Sequence, residues 1–269
     1  LSDRLRLTIL GCGSSPGVPR IMGDWGACDP KNPKNRRTRA AALVERIGAN
    51  GRTTRVVIDT GPDFRSQMIS AKVDHLDGVL YTHPHADHIH GIDDLRGYVL
   101  AQNALMDVYA DQPTMERLVE AFSYCFETPA GSNYPPILKG HIIEPGREIT
   151  IAGEGGPITF EPLRQVHGAI HSLGFRVGSM AYCSDVSAFP PETAERLHDL
   201  DVLVIDALQY KRHPSHFSLA EALEWIKRLK PGKAVLTHMH IPLDYATVER
   251  ETPAHVIPAH DGLLLEIAY

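Results

Sequence analysis

The chain has no CxxC pair, no long apolar run, few aromatic residues and no surplus of positive charge, and each shortage removes a class of function. Its four cysteines, Cys12, Cys28, Cys125 and Cys183, are scattered. That argues against a disulfide framework and a thiolate zinc site, and fits a reducing compartment. No apolar stretch approaches the roughly 20 residues of a membrane-spanning helix, so no membrane partner is expected. The opening "LSDRLRLTIL" carries charges where a secretory signal would be apolar, and a soluble, cytoplasmic protein is the expectation. A net charge of −6 works against an extended nucleic-acid surface and leaves room for a local positive site only. The basic cluster "KNPKNRRTR" reads first as a solvated loop, with a substrate-facing role for Arg36, Arg37 or Arg39 as the alternative. Linkers, low-complexity tracts and short repeats are also missing, so residues 1–269 read as a single domain.

Histidine, by contrast, is plentiful, with 15 in the chain. In "LYTHPHADHIHG", residues 80–91, His83, His85, Asp87 and His88 fall within six positions after an apolar run ending at Thr82. Alternation along an extended segment points His83 and His85 the same way, and Asp87 and His88 follow where the chain bends into a helix. Neutral imidazole suits Zn, Mn, Fe or Ni, and a carboxylate adds a hard donor and compensating charge. One ion would use about three of these donors, so four in one loop, with more elsewhere, favour two ions. The further candidates each end an apolar strand: His167 after "TFEPLRQV", Asp185 after "MAYCS" and His238 after "KAVLT".

β-branched runs such as "LRLTILGCG", "TRVVIDTGPD", "DVLVIDAL" and "GLLLEIAY" imply many strands. Helical periodicity marks residues near 114–126, 191–198 and 218–229, the last opened by a capping box of Ser218 with Glu221 and by Phe217 as a staple. Sheet layers covered by helices are the expected α/β architecture.

"THPHADH" resembles the HxHxDH signature of the metallo-β-lactamase superfamily, with His167, Asp185 and His238 in the family's order and "VVIDTG" like its early strand-turn motif. The resemblance implies a four-layer αββα sandwich. It also implies one ion held by His83, His85 and His167 and a second by Asp87, His88 and His238, with Asp185 bridging and Asp59 orienting a ligand imidazole. Two divalent ions less two carboxylates and a bridging hydroxide leave a centre of about +1, which attracts an anion.

The metal ligands do not choose among phosphodiesters, lactams, thioesters and lactones. "HPSHFSLAEAL" does: His216, just before a helix start and followed by a small hydroxyl residue, resembles the phosphodiesterase branch that includes tRNase Z and PhnP. "GCGSSPGVP", "WGAC" and "HDGLLLEI" resemble the PhnP type, and no long arm of the tRNase Z kind is present. The expectation is a dinuclear phosphodiesterase for small or cyclic nucleotide-like substrates, using a metal-bridging hydroxide, with His216 and Asp87 as catalytic candidates. Zn or Mn come first as metals, with Ni and Fe also accepted by such ligands. A thioester or lactone hydrolase on the same centre, or a weakly catalytic nucleotide-binding protein, is the alternative. Of the structural-zinc cysteines of PhnP only Cys28 is present, so no structural zinc is expected. A homodimer rests on analogy alone. His213 reads as a loop residue, His90 as a helix start, and His240 and His260 as neighbours of the site without an assigned role.

Overall fold

A computed structural model describes residues 3–269. Its elements run β1 (Arg4–Gly11), β2 (Ala41–Ile47), β3 (Thr53–Ile58), α1 (Phe64–Ala71), β4 (Gly78–Leu80), α2 (Ala86–Ile89), α3 (Arg96–Gln102), β5 (Met106–Ala110), α4 (Gln112–Ala121), α5 (Ser123–Phe126) and β6 (Leu138–Ile142). There follow β7 (Ile149–Ile151), β8 (Ile158–His167), β9 (Ile170–Val177), β10 (Met180–Cys183), α6 (Pro191–Arg196), β11 (Val202–Asp206), α7 (Leu219–Leu229), β12 (Lys233–Thr237), α8 (Tyr245–Glu251), β13 (Val256–Pro258) and β14 (Leu263–Ala268). Two seven-stranded sheets, ordered β14-β1-β2-β3-β4-β5-β6 and β13-β12-β11-β10-β9-β8-β7, are flanked by helices. The expected mixed α/β fold with two sheets is therefore present.

Cα packing divides the chain into two compact units, each discontinuous in sequence: residues 1–8, 41–159 and 264–269, and residues 9–40 and 160–263. In the first, β2 pairs antiparallel with β3, and β3, β4, β5 and β6 then run parallel. Val56, Val57, Ile58, Val79, Leu80 and Val108 are buried, as strands covered on both faces require. In the second, β8, β9 and β10 are antiparallel, whereas β10, β11, β12 and β13 are parallel, with β11 buried at every residue.

Parallel register carries a functional consequence: it aligns the carboxyl ends of neighbouring strands along one edge, where open α/β sheets place their ligands. Ile58 pairs with Leu80, which sets Asp59 beside the segment leading into His83. Cys183 pairs with Ile205, and Asp206 with Thr237, so Asp185, Asp206 and His238 emerge together. β8 runs in the same sense as β10, since both are antiparallel to β9, and brings His167 to that edge.

The helix expected at 218–229 is α7, with both halves of its capping box formed between Ser218 and Glu221. The stretch expected as one helix near 114–126 is two, α4 and α5, because Phe122 between them leaves the helical region at φ −132°. His90 closes α2 as its C-cap instead of starting a helix. Among the described residues no helix is long and apolar enough to cross a membrane.

Candidate metal centre

In the first unit the site is built on Asp59. This fully buried residue follows β3 with φ 67°, a left-handed conformation that Asp tolerates better than most residues. Its Oδ1 accepts from the Thr82 amide at 2.8 Å, and its Oδ2 from the Thr82 hydroxyl and from His88 Nδ1, each at 2.7 Å. Burial pushes the carboxyl up, and His88 with the Thr82 donors opposes that. Because Asp59 accepts the hydrogen bond from His88 Nδ1, the imidazole is oriented with Nε2 as its acceptor nitrogen.

The same proton bookkeeping applies to His83. Its Nδ1 lies 3.0 Å from Thr82 Oγ1, whose one proton already goes to Asp59, so His83 must donate. His83 Nε2 then faces His85 Nδ1 at 3.0 Å, two ring nitrogens held together. His83 and His88 are buried, Asp87 is half-buried and His85 is exposed, so the cluster opens to solvent on the His85 side. Asp87 Oδ2 lies 3.4 Å from His88 Nε2. The loops are clamped by amide bonds from Thr60 to His88 O and from Gly91 to Thr60 O. A Cβ on Gly91 would stand 2.2 Å from Gly61 O, which explains a glycine immediately after the histidine cluster.

In the second unit, His167, Asp185, His216 and His238 converge, all of them buried. His167 Nδ1 donates to Ser215 O at 2.7 Å. Asp185 and His238 have φ values of 53° and 57°, so the chain turns sharply just past β10 and β12. Their Oδ1 and Nε2 are 3.2 Å apart. Strain of this kind concentrates at functional sites, where surrounding contacts maintain it. The donor atoms of His167, Asp185 and His216 lie within 4.8 Å of one another, as do those of Asp206, His216 and His238. These His/Asp clusters can coordinate metal ions.

Asp206 was absent from the sequence expectation, although "DVLVID" carries the same strand-end signal as "MAYCSD". Its Oδ2 lies 2.7 Å from His216 Nδ1 and accepts the Val186 amide at 2.9 Å. Burial pushes this carboxyl up, with His216 opposing. The His216 ring stacks on that of His238 at 4.6 Å and 11°, and meets His167 edge-on at 4.7 Å. His213 lies in a loop as expected, but its ring is 5.3 Å from that of His216, and burial together with His216 lowers its pKa.

The loop at residues 31–39 corrects the solvated reading at one position. Arg37 is buried and donates to Leu243 O at 2.7 Å, Asn35 Oδ1 at 3.2 Å and His240 O at 3.5 Å, with Cys28 Sγ at 3.9 Å. Arg36 lies over the Trp25 ring. His240 acquires partners, Ser14 Oγ at 2.7 Å and Arg20 Nη2 at 2.5 Å, and burial with the Arg20 charge lowers its pKa to about 4. His260 Nδ1 lies 3.0 Å from Asp261 O.

The donor chemistry fits metal binding on one test: His83, His88 and His167 each spend Nδ1 on a protein acceptor and present Nε2, the arrangement by which proteins orient ligand imidazoles.

A family model described as "Beta-lactamase superfamily domain" matches residues 54–239. A Porphyromonas gingivalis protein named octanoyltransferase is 34% identical over 264 residues, which are 96% of this chain and 51% of that protein. The exodeoxyribonuclease WalJ of Streptococcus pneumoniae is 29% identical over 150 residues, 50% of this chain and 49% of its own. The chain spans about half the length of the curated protein that it matches nearly end to end. Among solved structures, a diphosphatase from the PhnP family is 34% identical with a TM-score of 0.87, over 98% of this chain and 97% of that one. Human short-form tRNase Z, at 17% identity and a TM-score of 0.64, covers 97% of this chain and 98% of its own and shares the fold.

Proposed function

The chain belongs to the beta-lactamase superfamily, in its PhnP-like branch, and on that premise we propose that it is a dinuclear metal-dependent hydrolase of small or cyclic nucleotide-like phosphodiesters. His83, His85 and His167 would hold one ion, Asp87, His88 and His238 the other, and Asp185 both, with Zn or Mn as the metals. Bound there, the ions would supply Lewis acidity and a water ionised near neutral pH.

The chain's own residues do the rest. Asp59 accepts a hydrogen bond from His88 Nδ1 and, through the Thr82 hydroxyl, holds His83. The observation that carries the phosphodiester reading is the buried Asp206–His216 pair. Through its contact with Nδ1, Asp206 fixes the His216 ring against those of His238 and His167. A phosphodiester expels an alkoxide that needs a proton, and a carboxylate-backed imidazole beside the ligand set is placed to give one. The PhnP-family diphosphatase and the exodeoxyribonuclease, by their names, also act at phosphoryl centres, which supports this reading.

Acyl thioester hydrolysis is the second reading, favoured by the relative named octanoyltransferase, of which this chain matches about half. The test compares bis(p-nitrophenyl) phosphate with an octanoyl thioester and a lactone, on protein loaded with Mn or Zn, on chelated protein and on the His216→Ala variant. Cleavage of the phosphodiester that depends on both metal and His216 supports the proposal. Thioester turnover indifferent to His216, with the phosphodiester untouched, overturns it.

A further inference from the structure

In "PGVPRIMGDWG", Gly23 takes φ 77° and its amide donates to Arg20 O at 2.7 Å, while the Arg20 amide donates to Asp24 O at 2.9 Å. A tight turn results, with Ile21 and Met22 at its tip and Arg20 at its base. Asp24 Oδ1 accepts the Gly26 amide at 2.9 Å, which closes the turn on its far side. The side chain of Arg20 is 45% exposed, yet its guanidinium is held from two directions: Nη2 lies 2.5 Å from His240 Nε2 and Nη1 lies 3.3 Å from Asp24 Oδ2.

The contact with His240 distinguishes this arginine from an ordinary surface ion pair, which holds neither side chain firmly. A guanidinium donates and never accepts, so His240 Nε2 must be the acceptor and His240 Nδ1 must carry its proton to Ser14 Oγ, 2.7 Å away. Ser14 is buried, and its amide donates to Met239 O at 3.3 Å. The chain Ser14–His240–Arg20 is thereby tied to the segment that begins at His238, two residues before His240 and within the ligand set described above. Neighbouring basic side chains are engaged otherwise: Lys34 on the Tyr245 hydroxyl and ring, Arg36 over Trp25, and Arg37 on buried carbonyls. Of the five N–H groups of Arg20, one faces His240 and one Asp24, which leaves three for a ligand.

We infer that Arg20 is an anion-binding specificity residue, positioned by His240, that recognises a second charged group on the substrate, a phosphomonoester beyond the bond that is cut. The inference rests on the phosphodiesterase reading for the identity of the substrate, but not for the binding it predicts. An exposed, pre-oriented guanidinium suits a phosphate dianion through paired charge-assisted hydrogen bonds, whereas a lysine at the same place would offer a point charge only.

The experiment measures binding of adenosine 3′-monophosphate and adenosine 3′,5′-bisphosphate to the metal-loaded protein by calorimetry, and reads the ratio of the two affinities. The wild type should prefer the bisphosphate by about tenfold or more, as charged hydrogen bonds allow. Arg20→Ala should bring the ratio near one, and Arg20→Lys should fall between. His240→Phe, which removes the acceptor, should lower the ratio, and His240→Gln, whose amide oxygen can accept from Arg20, should restore part of it. The ratio cancels a uniform loss of binding from a damaged metal centre. No preference in the wild type, or a preference that survives Arg20→Ala, overturns the proposal, and an unaffected ratio in His240→Phe removes the positioning role. If the wild type shows the preference but cleaves only the thioester, Arg20 stands and the phosphodiesterase reading falls.

Discussion

His216 owes its orientation to Asp206, and the two make separable predictions. Removal of the imidazole in His216→Ala should lower kcat on a phosphodiester by roughly 10²–10⁴-fold, the usual loss for a general acid, while metal content by emission spectroscopy stays at two ions per chain. Asp206→Asn keeps the shape and the Val186 contact but drops the charge behind the ring, and should cost roughly 10–100-fold in kcat with KM little changed. Equal losses in the alanine variant of an unrelated buried residue would sink the assignment. Much of this level was legible in the sequence, because His83, His85, Asp87 and His88 stand so close together. Asp206 escaped because a lone aspartate at a strand end is usually a turn residue, and only the register opposite Thr237 places it beside His238. Arg37 was misjudged for a related reason: a run of like charges does not reveal which member is buried. The carbonyls it satisfies, those of His240 and Leu243, lie some 200 residues further on.

Helices and strands were legible where local pattern was strong. α7, with its capping box and amphipathic face, and the β-branched strands were read correctly, whereas α1, α3 and α8, of seven or eight residues each, carry too few turns to declare a period. α8 has a local signal in Asp244, its N-cap, which accepts from the Thr247 amide at 2.9 Å and also from Asn35 Nδ2 at 2.7 Å and the Asp29 amide at 3.2 Å. Burial alone would push this carboxyl up, but those hydrogen bonds outweigh it and hold the pKa below the ordinary aspartate value. A carboxylate whose folded pKa is depressed contributes stability above its unfolded value and loses it as pH falls through the folded one. Asp244→Ala should therefore cost about 1–2 kcal/mol at pH 7, and the gap from wild type should narrow below pH 3.8. Denaturant melts at pH 7 and pH 3 check this, and a gap that is constant with pH would contradict it. Gly91 belongs to the same scale: Gly91→Ala should destabilise by about 1–3 kcal/mol through the clash with Gly61 O and loosen the turn that holds Asp59 and His88.

At the scale of the whole chain, a single domain is the expectation from the absence of linkers, and Cα packing divides the chain into two compact units that a linker search could not have found. Three of their four boundaries fall within strands, Thr8 to Ile9 inside β1, Thr159 to Phe160 inside β8 and Leu263 to Leu264 inside β14, and the fourth, Ala40 to Ala41, falls at the start of β2. A flexible boundary would instead fall in an exposed loop rich in Gly, Pro or polar residues. Since a strand cannot half melt without breaking its ladder on both sides of the boundary, we propose that the units unfold together. Calorimetry of the chelated protein should show one transition whose van't Hoff and calorimetric enthalpies agree. Metal should shift that transition as a whole, because ions that bind only the folded chain stabilise it by RT ln(1 + [L]/Kd), about 2.7 kcal/mol at a hundredfold excess over Kd. Two separated transitions in the chelated protein would refute the single-domain proposal. A single transition in the chelated protein that splits when Mn or Zn is added would refute the joint unfolding equally.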